Sequence, residues 1–182
     1  MVNFRTVGHG TLPADDLAAL ITGAGIEIIV DVRSFPASRR NPQFRREAME
    51  RWLPDAGVAY RWEPRLGGRR RPRPDSPNGA LRVPAFRGYA DHMETAEFRD
   101  AVDELLAEAG TRPAAVMCAE SLWWRCHRRL LADAAVLLRG AAVEHLFHDG
   151  RLDQHRPTAE ARVDGRRLVY DGGEPGLPLR DS

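Results

Sequence analysis

The chain has 182 residues, 43% hydrophobic and 29% charged, with two cysteines and a formal net charge of +1. That length suits one domain, and that composition excludes a disordered chain, a collagen and a disulfide-stapled secreted module. No apolar run approaches the roughly 20 residues of a membrane helix, and the opening MVNFRTVGHG lacks a secretory h-region, so we expect a cytoplasmic protein with no membrane partner.

Lysine is absent, and all 27 basic residues are arginine. Schiff-base catalysis and a Walker-type phosphate loop are therefore excluded. The arginines are unevenly placed. Residues 33–73 hold 12 arginines against four acids, a net of +8, and the remainder nets −7. A basic central segment attracts anions locally.

The apolar pattern predicts strands and helices in alternation. Phe4–Val7 reads as a strand ending at Gly8-His9-Gly10. A helix follows, with Thr11 as N-cap, Asp15 and Asp16 at its positive end, and Gly23 and Gly25 stopping it. Ile26–Val32 reads as a buried parallel strand, Pro42–Leu53 as a helix and Val58–Trp62 as a third strand. Proline and glycine break residues 63–84 into a long loop. Helices are predicted over Ala85–Glu94 and Thr95–Ala109, then a strand over Ala114–Met117 ending at Cys118. A helix over Arg125–Leu138 and a strand over Val143–Phe147 complete the pattern. We assign residues 1–150 to an α/β domain and 151–182 to a polar extension. In that extension Arg166–Tyr170 suits an added edge strand and the last dozen residues look frayed.

Such alternation implies a single three-layer, Rossmann-like α/β domain with about five mostly parallel strands. Ligands bind outside the carboxyl ends of such strands. There the sequence places Gly8, His9 and Gly10, then Asp31, Arg33 and Ser34, then Trp62 and Glu63, then Cys118, Glu120 and Ser121, and finally His145 and His148. The opposite end carries plainer turns.

Several of these residues suit chemistry. Cys118 sits where a strand meets a loop leading to a helix, and amides at that helix start, with Arg125 and His127, favour its thiolate. Its spacing to Arg125 is C-x6-R, not the C-x5-R of cysteine phosphatases. A buried structural thiol is the other reading, and the residues leave it open. Glu120 with His127 suits an acid–base pair, or Glu120 simply favours a helix start. Gly8 and Gly10 let backbone amides approach a ligand beside His9. Arg33, Ser38, Arg39 and Arg40 form an anion-friendly group, although Asp31 offers Arg33 a structural partner. Trp52, Tyr60 and Trp62 near Arg65–Arg73 suit stacking on bases, or they are ordinary core aromatics beside a mobile loop. Cys118-x7-Cys126-His127 matches no finger spacing, and neighbours on a helix point about 100° apart, so we expect no metal and no cofactor.

Five pieces resemble the DUF488 family in order and spacing. They are Val7-Gly8-His9-Gly10, Asp31-Val32-Arg33 with Pro36 and Ser38-Arg39, Leu66-Gly67-Gly68, Met117-Cys118-Ala119-Glu120, and Cys126-His127-Arg128. The resemblance implies a small bacterial α/β domain with no established general activity, and adds Arg128 to the binding residues.

Three functions follow as expectations. The first is an enzyme acting on a phosphate-bearing or other anionic substrate, with Cys118, Glu120 and His127 catalytic and Gly8, His9, Gly10, Arg33, Ser38, Arg39 and Arg128 binding. The alternatives are a non-catalytic nucleic-acid-binding module, with residues 33–73 tracking phosphates, and a small-molecule sensor. Nothing in the pattern speaks to oligomeric state.

Overall fold

The computed structural model describes residues 1–173, so the predicted fraying lies largely outside the described residues. Six strands form one sheet. They are β1 (Asn3–Gly8), β2 (Ile28–Asp31), β3 (Ala59–Trp62), β4 (Ala114–Cys118), β5 (Ala142–Leu146) and β6 (Leu152–Gln154). The order is β3-β2-β4-β1-β5-β6, with the first five parallel and β6 antiparallel to β5. The Rossmann-like α/β expectation holds. The edge strand is an exception, because it comes from residues 152–154. The predicted strand at Arg166–Tyr170 instead forms a separate hairpin, with β7 (Arg162–Asp164) pairing β8 (Arg167–Val169).

Alternate residues of the strands serve two cores. Val7, Ile29, Ala115, Met117 and Leu146 pack under α1 (Ala14–Gly23) and α2 (Arg46–Asp55) through Leu17, Ile21, Met49 and Leu53. Phe4, Ile28, Val30, Val116 and Val143 face α3 (Pro84–Met93), α4 (Ala96–Ala109) and α5 (Arg128–Arg139). Period-two alternation with apolar residues on both faces makes this a sheet buried between two helical layers.

Local chemistry shifts three predicted helix starts. Thr11 does not cap α1, because the helix begins one residue after Pro13, which stands at the N-cap. The helix expected from Pro42 is split: Pro42–Phe44 is a 3₁₀ turn, Arg45 is extended (φ −63°, ψ 147°), and α2 starts at Arg46. Thr95 caps α4, its Oγ1 accepting from the Phe98 N–H at 3.2 Å.

The long loop is pinned by one buried carboxylate. Asp91 on α3 accepts from the Arg73 N–H (2.7 Å), Ser76 Oγ (2.6 Å) and Asn78 Nδ2 (2.8 Å). Asn78 in turn accepts from the Tyr170 N–H at 2.9 Å. Asp91 is buried in the last turn of α3, so three donors satisfy a charge that would otherwise be costly there.

Candidate functional site

The chain crosses itself at the carboxyl ends of β1 and β4. Beyond the strands their loops keep pairing: the His9 N–H donates to Cys118 O and the Gly10 N–H to Ala119 O, both at 2.9 Å. A Cβ on Gly8 would lie 1.8 Å from Glu120 O, so only glycine fits at this crossing. The expectation that these glycines free amides for a ligand is corrected here, because the His9 and Gly10 amides are spent on the neighbouring loop.

His9 and Arg33 form a buried polar layer beneath the cleft. Arg33 grips Asp31 through Nε (2.9 Å) and Nη2 (2.6 Å), and Tyr60 Oη donates to the same carboxylate at 2.6 Å. Burial works against the Arg33 charge, and the Asp31 carboxylate outweighs it, holding its pKa up. His9 donates from Nδ1 to Gly10 O and accepts at Nε2 from Arg33 Nη1 (3.2 Å). Its ring stacks on Phe44 at 4.1 Å. Burial pulls the His9 pKa down to about 4, with Arg33 adding to the shift, so the ring is neutral at pH 7.

The sulfur centre lies beside this layer. Cys126 is extended (φ −124°, ψ 154°) and stands before α5, which begins at Arg128. The predicted helix over Arg125 does not form, so the argument that Cys126 and His127 point apart fails. Cys118 Sγ, Cys126 Sγ and His127 Nδ1 all lie within 4.8 Å of one another. His127 Nδ1 is 3.5 Å from Cys126 Sγ and 3.9 Å from Cys118 Sγ, while Nε2 donates to Val32 O at 3.1 Å. The hydrogen bond to Cys126, with burial, pushes the Cys118 thiol up. Burial opposes ionisation of Cys126 too, but the hydrogen bond from Cys118 and the nearby Arg128 charge set its thiol well below the ordinary range. The acidic thiol is thus Cys126, where the sequence pointed to Cys118.

Arg128 is 1% exposed and acts as an internal brace. Its Nε donates to Cys126 Sγ (3.5 Å), its Nη1 to Thr6 Oγ1 (3.3 Å), and its Nη2 to the carbonyl of Glu120. Thr6 leads into a buried relay that the sequence did not reveal. Thr6 Oγ1 lies 2.7 Å from His145 Nδ1, His145 Nε2 lies 3.0 Å from His155 Nδ1, and His155 Nε2 lies 2.8 Å from Asp133 Oδ1. Tyr170 Oη donates to Asp133 Oδ2 at 2.9 Å. One orientation satisfies every group: each proton points along the chain from Arg128 toward Asp133. Burial, then His155 and Arg128, pull the His145 pKa down to about 3. Trp123 covers this relay, stacked on His145 at 4.0 Å and 6°.

Above the centre opens a cleft in two connected parts, of about 450 and 310 Å³, sharing Arg33, Phe35, Arg69, Ala119 and Glu120. Ser38, Arg39 and Arg40 line one part; Cys118, Arg125, Cys126 and His127 line the other. Among the described residues, Arg39, Arg40, Arg69 and Arg125 make no ion pair. Glu120 is the one carboxylate on these walls, and its Oε1 accepts from the Leu122 N–H at 3.1 Å. No hydrogen bond joins it to His127, so the expected Glu120–His127 pair does not form. Ser38 Oγ accepts from the Asn41 N–H at 2.9 Å.

Three other arginines of the basic segment have partners beyond it. Arg61 and Arg65 pair with Glu63, Glu108 and Glu104, and Arg73 with Glu94. Trp52 Nε1 donates to Gln43 O and Trp62 Nε1 to Arg33 O, so these aromatics brace the fold.

The profile described as "Domain of unknown function DUF488" matches residues 14–135, two thirds of the chain. The chain belongs to the DUF488 family. The matched span carries Arg33, Cys118, Cys126, His127 and Arg128 and leaves Gly8–Gly10 outside. No curated protein and no solved structure matches this DUF488 chain.

Proposed function

We propose that this protein is an enzyme acting on a small phosphate-bearing substrate. The observation that carries the reading is the charge of the cleft. Four arginines without acidic partners face a single carboxylate there, and the cleft floor is a sulfur–imidazole centre. Guanidinium groups match phosphate oxygens bidentately, and charge-assisted hydrogen bonds are about twice as strong as neutral ones. Arg39, Arg40 and Arg69 hold the anion, and Phe35, 68% exposed at the rim, offers a face to a ring on the substrate. Cys118, Cys126 and His127 form the reacting centre. Glu120, beside both parts of the cleft, is placed to carry a proton.

A nucleic-acid strand suits this surface less well. Trp52, Tyr60 and Trp62 are engaged internally, and Arg61 and Arg65 already have carboxylate partners. What remains is of small-molecule size.

Calorimetric titration with phosphate, pyrophosphate and nucleoside diphosphates tests the reading. We expect binding that weakens about tenfold for each of Arg39→Ser and Arg40→Ser, with thermal stability unchanged. Absence of binding at millimolar anion, or equal affinity in the double variant, refutes it.

A further inference from the structure

We propose that Cys118, Cys126 and His127 form a three-ligand site for a soft divalent cation of the zinc class, with its fourth position open to the cleft. This goes beyond the anion-cleft reading and shares its floor.

The donor set selects the ion. Two sulfurs and one imidazole nitrogen suit zinc and its neighbours, while magnesium and calcium require oxygen ligands. The spacing fits as well. Zinc sits about 2.3 Å from sulfur and about 2.0 Å from nitrogen, so a tetrahedral site has sulfur–nitrogen edges of about 3.6 Å. The two edges here are 3.5 and 3.9 Å.

The surroundings prepare the same arrangement. Val32 O accepts from His127 Nε2 at 3.1 Å, and a carbonyl can only accept, so the ring proton is on Nε2 and the Nδ1 lone pair faces the sulfurs. Metal-bound histidines show this outer hydrogen bond almost without exception. Tyr89 holds the ring edge-on at 5.1 Å. Two thiolates balance a divalent charge, and Arg128 beside Cys126 Sγ supports the sulfur charge. Three protein ligands with an open position mark catalytic rather than structural zinc sites. Glu120 and Arg33 line the cleft beside that position.

The test uses the full chain, purified reduced and treated with a chelator, then titrated with cobalt(II) and zinc(II). We expect one equivalent of cobalt to give the intense visible bands of a tetrahedral ion and a sulfur-to-cobalt charge-transfer band, with zinc displacing it. One equivalent of zinc should protect both thiols from alkylation. Cys126→Ser and His127→Gln should each weaken zinc binding at least tenfold. Because either variant could disturb folding, protection of the two thiols in the unmutated chain stands as an independent readout. Absence of the cobalt bands, both thiols remaining reactive with zinc bound, or unchanged affinity in folded variants overturns the proposal. Phosphate titration of metal-free protein separates the two readings. If anion binding persists where zinc binding fails, only the metal site falls; if zinc binds and anions do not, only the cleft reading falls.

Discussion

Acid should destabilise this fold well before its carboxylates titrate. His9 and His145 are buried and neutral, with pKa values of about 4 and about 3 against 6.5 for an ordinary histidine. Between those limits the unfolded chain binds more protons than the folded one. The stabilising contribution is therefore complete above pH 6.5 and is lost as pH falls. Each ring costs about 1.4 kcal/mol per pH unit below 6.5, so about 2 kcal/mol by pH 5 and about 4 kcal/mol for the two together. That is a large part of the roughly 5–15 kcal/mol available to a domain. Burial also lowers His92, which adds in the same direction. Urea unfolding at successive pH values between 7 and 5 measures the slope. His9→Gln keeps an acceptor for Arg33 and removes one titrating ring, so it should roughly halve the loss. A flat or rising stability over that window would refute the buried neutral assignment for both rings.

Gly68→Ala would place a Cβ 2.4 Å from His127 Nδ1 and 2.6 Å from its Cγ, so the ring must move. We expect a loss of about 1–3 kcal/mol in chemical denaturation and altered alkylation of Cys126. Asp133→Ala leaves His155 Nε2, the Thr158 N–H and Tyr170 Oη without their acceptor. Three unsatisfied buried donors cost at least about 3 kcal/mol, a fall in Tm of roughly 6–12 °C by calorimetry. A fall under a few degrees would mean that water replaces the carboxylate.

The relay and the sulfur centre are physically joined. Arg128 touches Cys126 on one side and Thr6 on the other, and Thr6 leads through two histidines to Asp133 and Tyr170. The residues from His155 to Tyr170, read from sequence as a polar extension, thus reach the core through His155, Leu168, Val169 and Tyr170, all buried. Arginine at this position does electrostatic work inside the protein, stabilising sulfur charge.

Much of the architecture was legible without coordinates. Strand–helix alternation has a period, and periods survive in sequence; the five parallel strands and the clustering of Gly8, Arg33, Cys118 and Glu120 at one sheet end followed from it. The family resemblance likewise rested on short ordered motifs that the chain displays directly. Pairings across the fold were not legible. The residues Thr6, Asp133, His145, His155 and Tyr170 are far apart in sequence and each is ordinary alone, so their relay appears only when β1, α5, β5 and the final hairpin meet. The same holds for the choice of Cys126 as the acidic thiol. A helix predicted through Arg125–His127 would have turned its side chain away from His127. The observed extended residue, ahead of α5 at Arg128, brings both sulfurs to one imidazole. Local propensity decided the elements. Long-range packing, which sequence spacing does not encode, decided which side chains share a site.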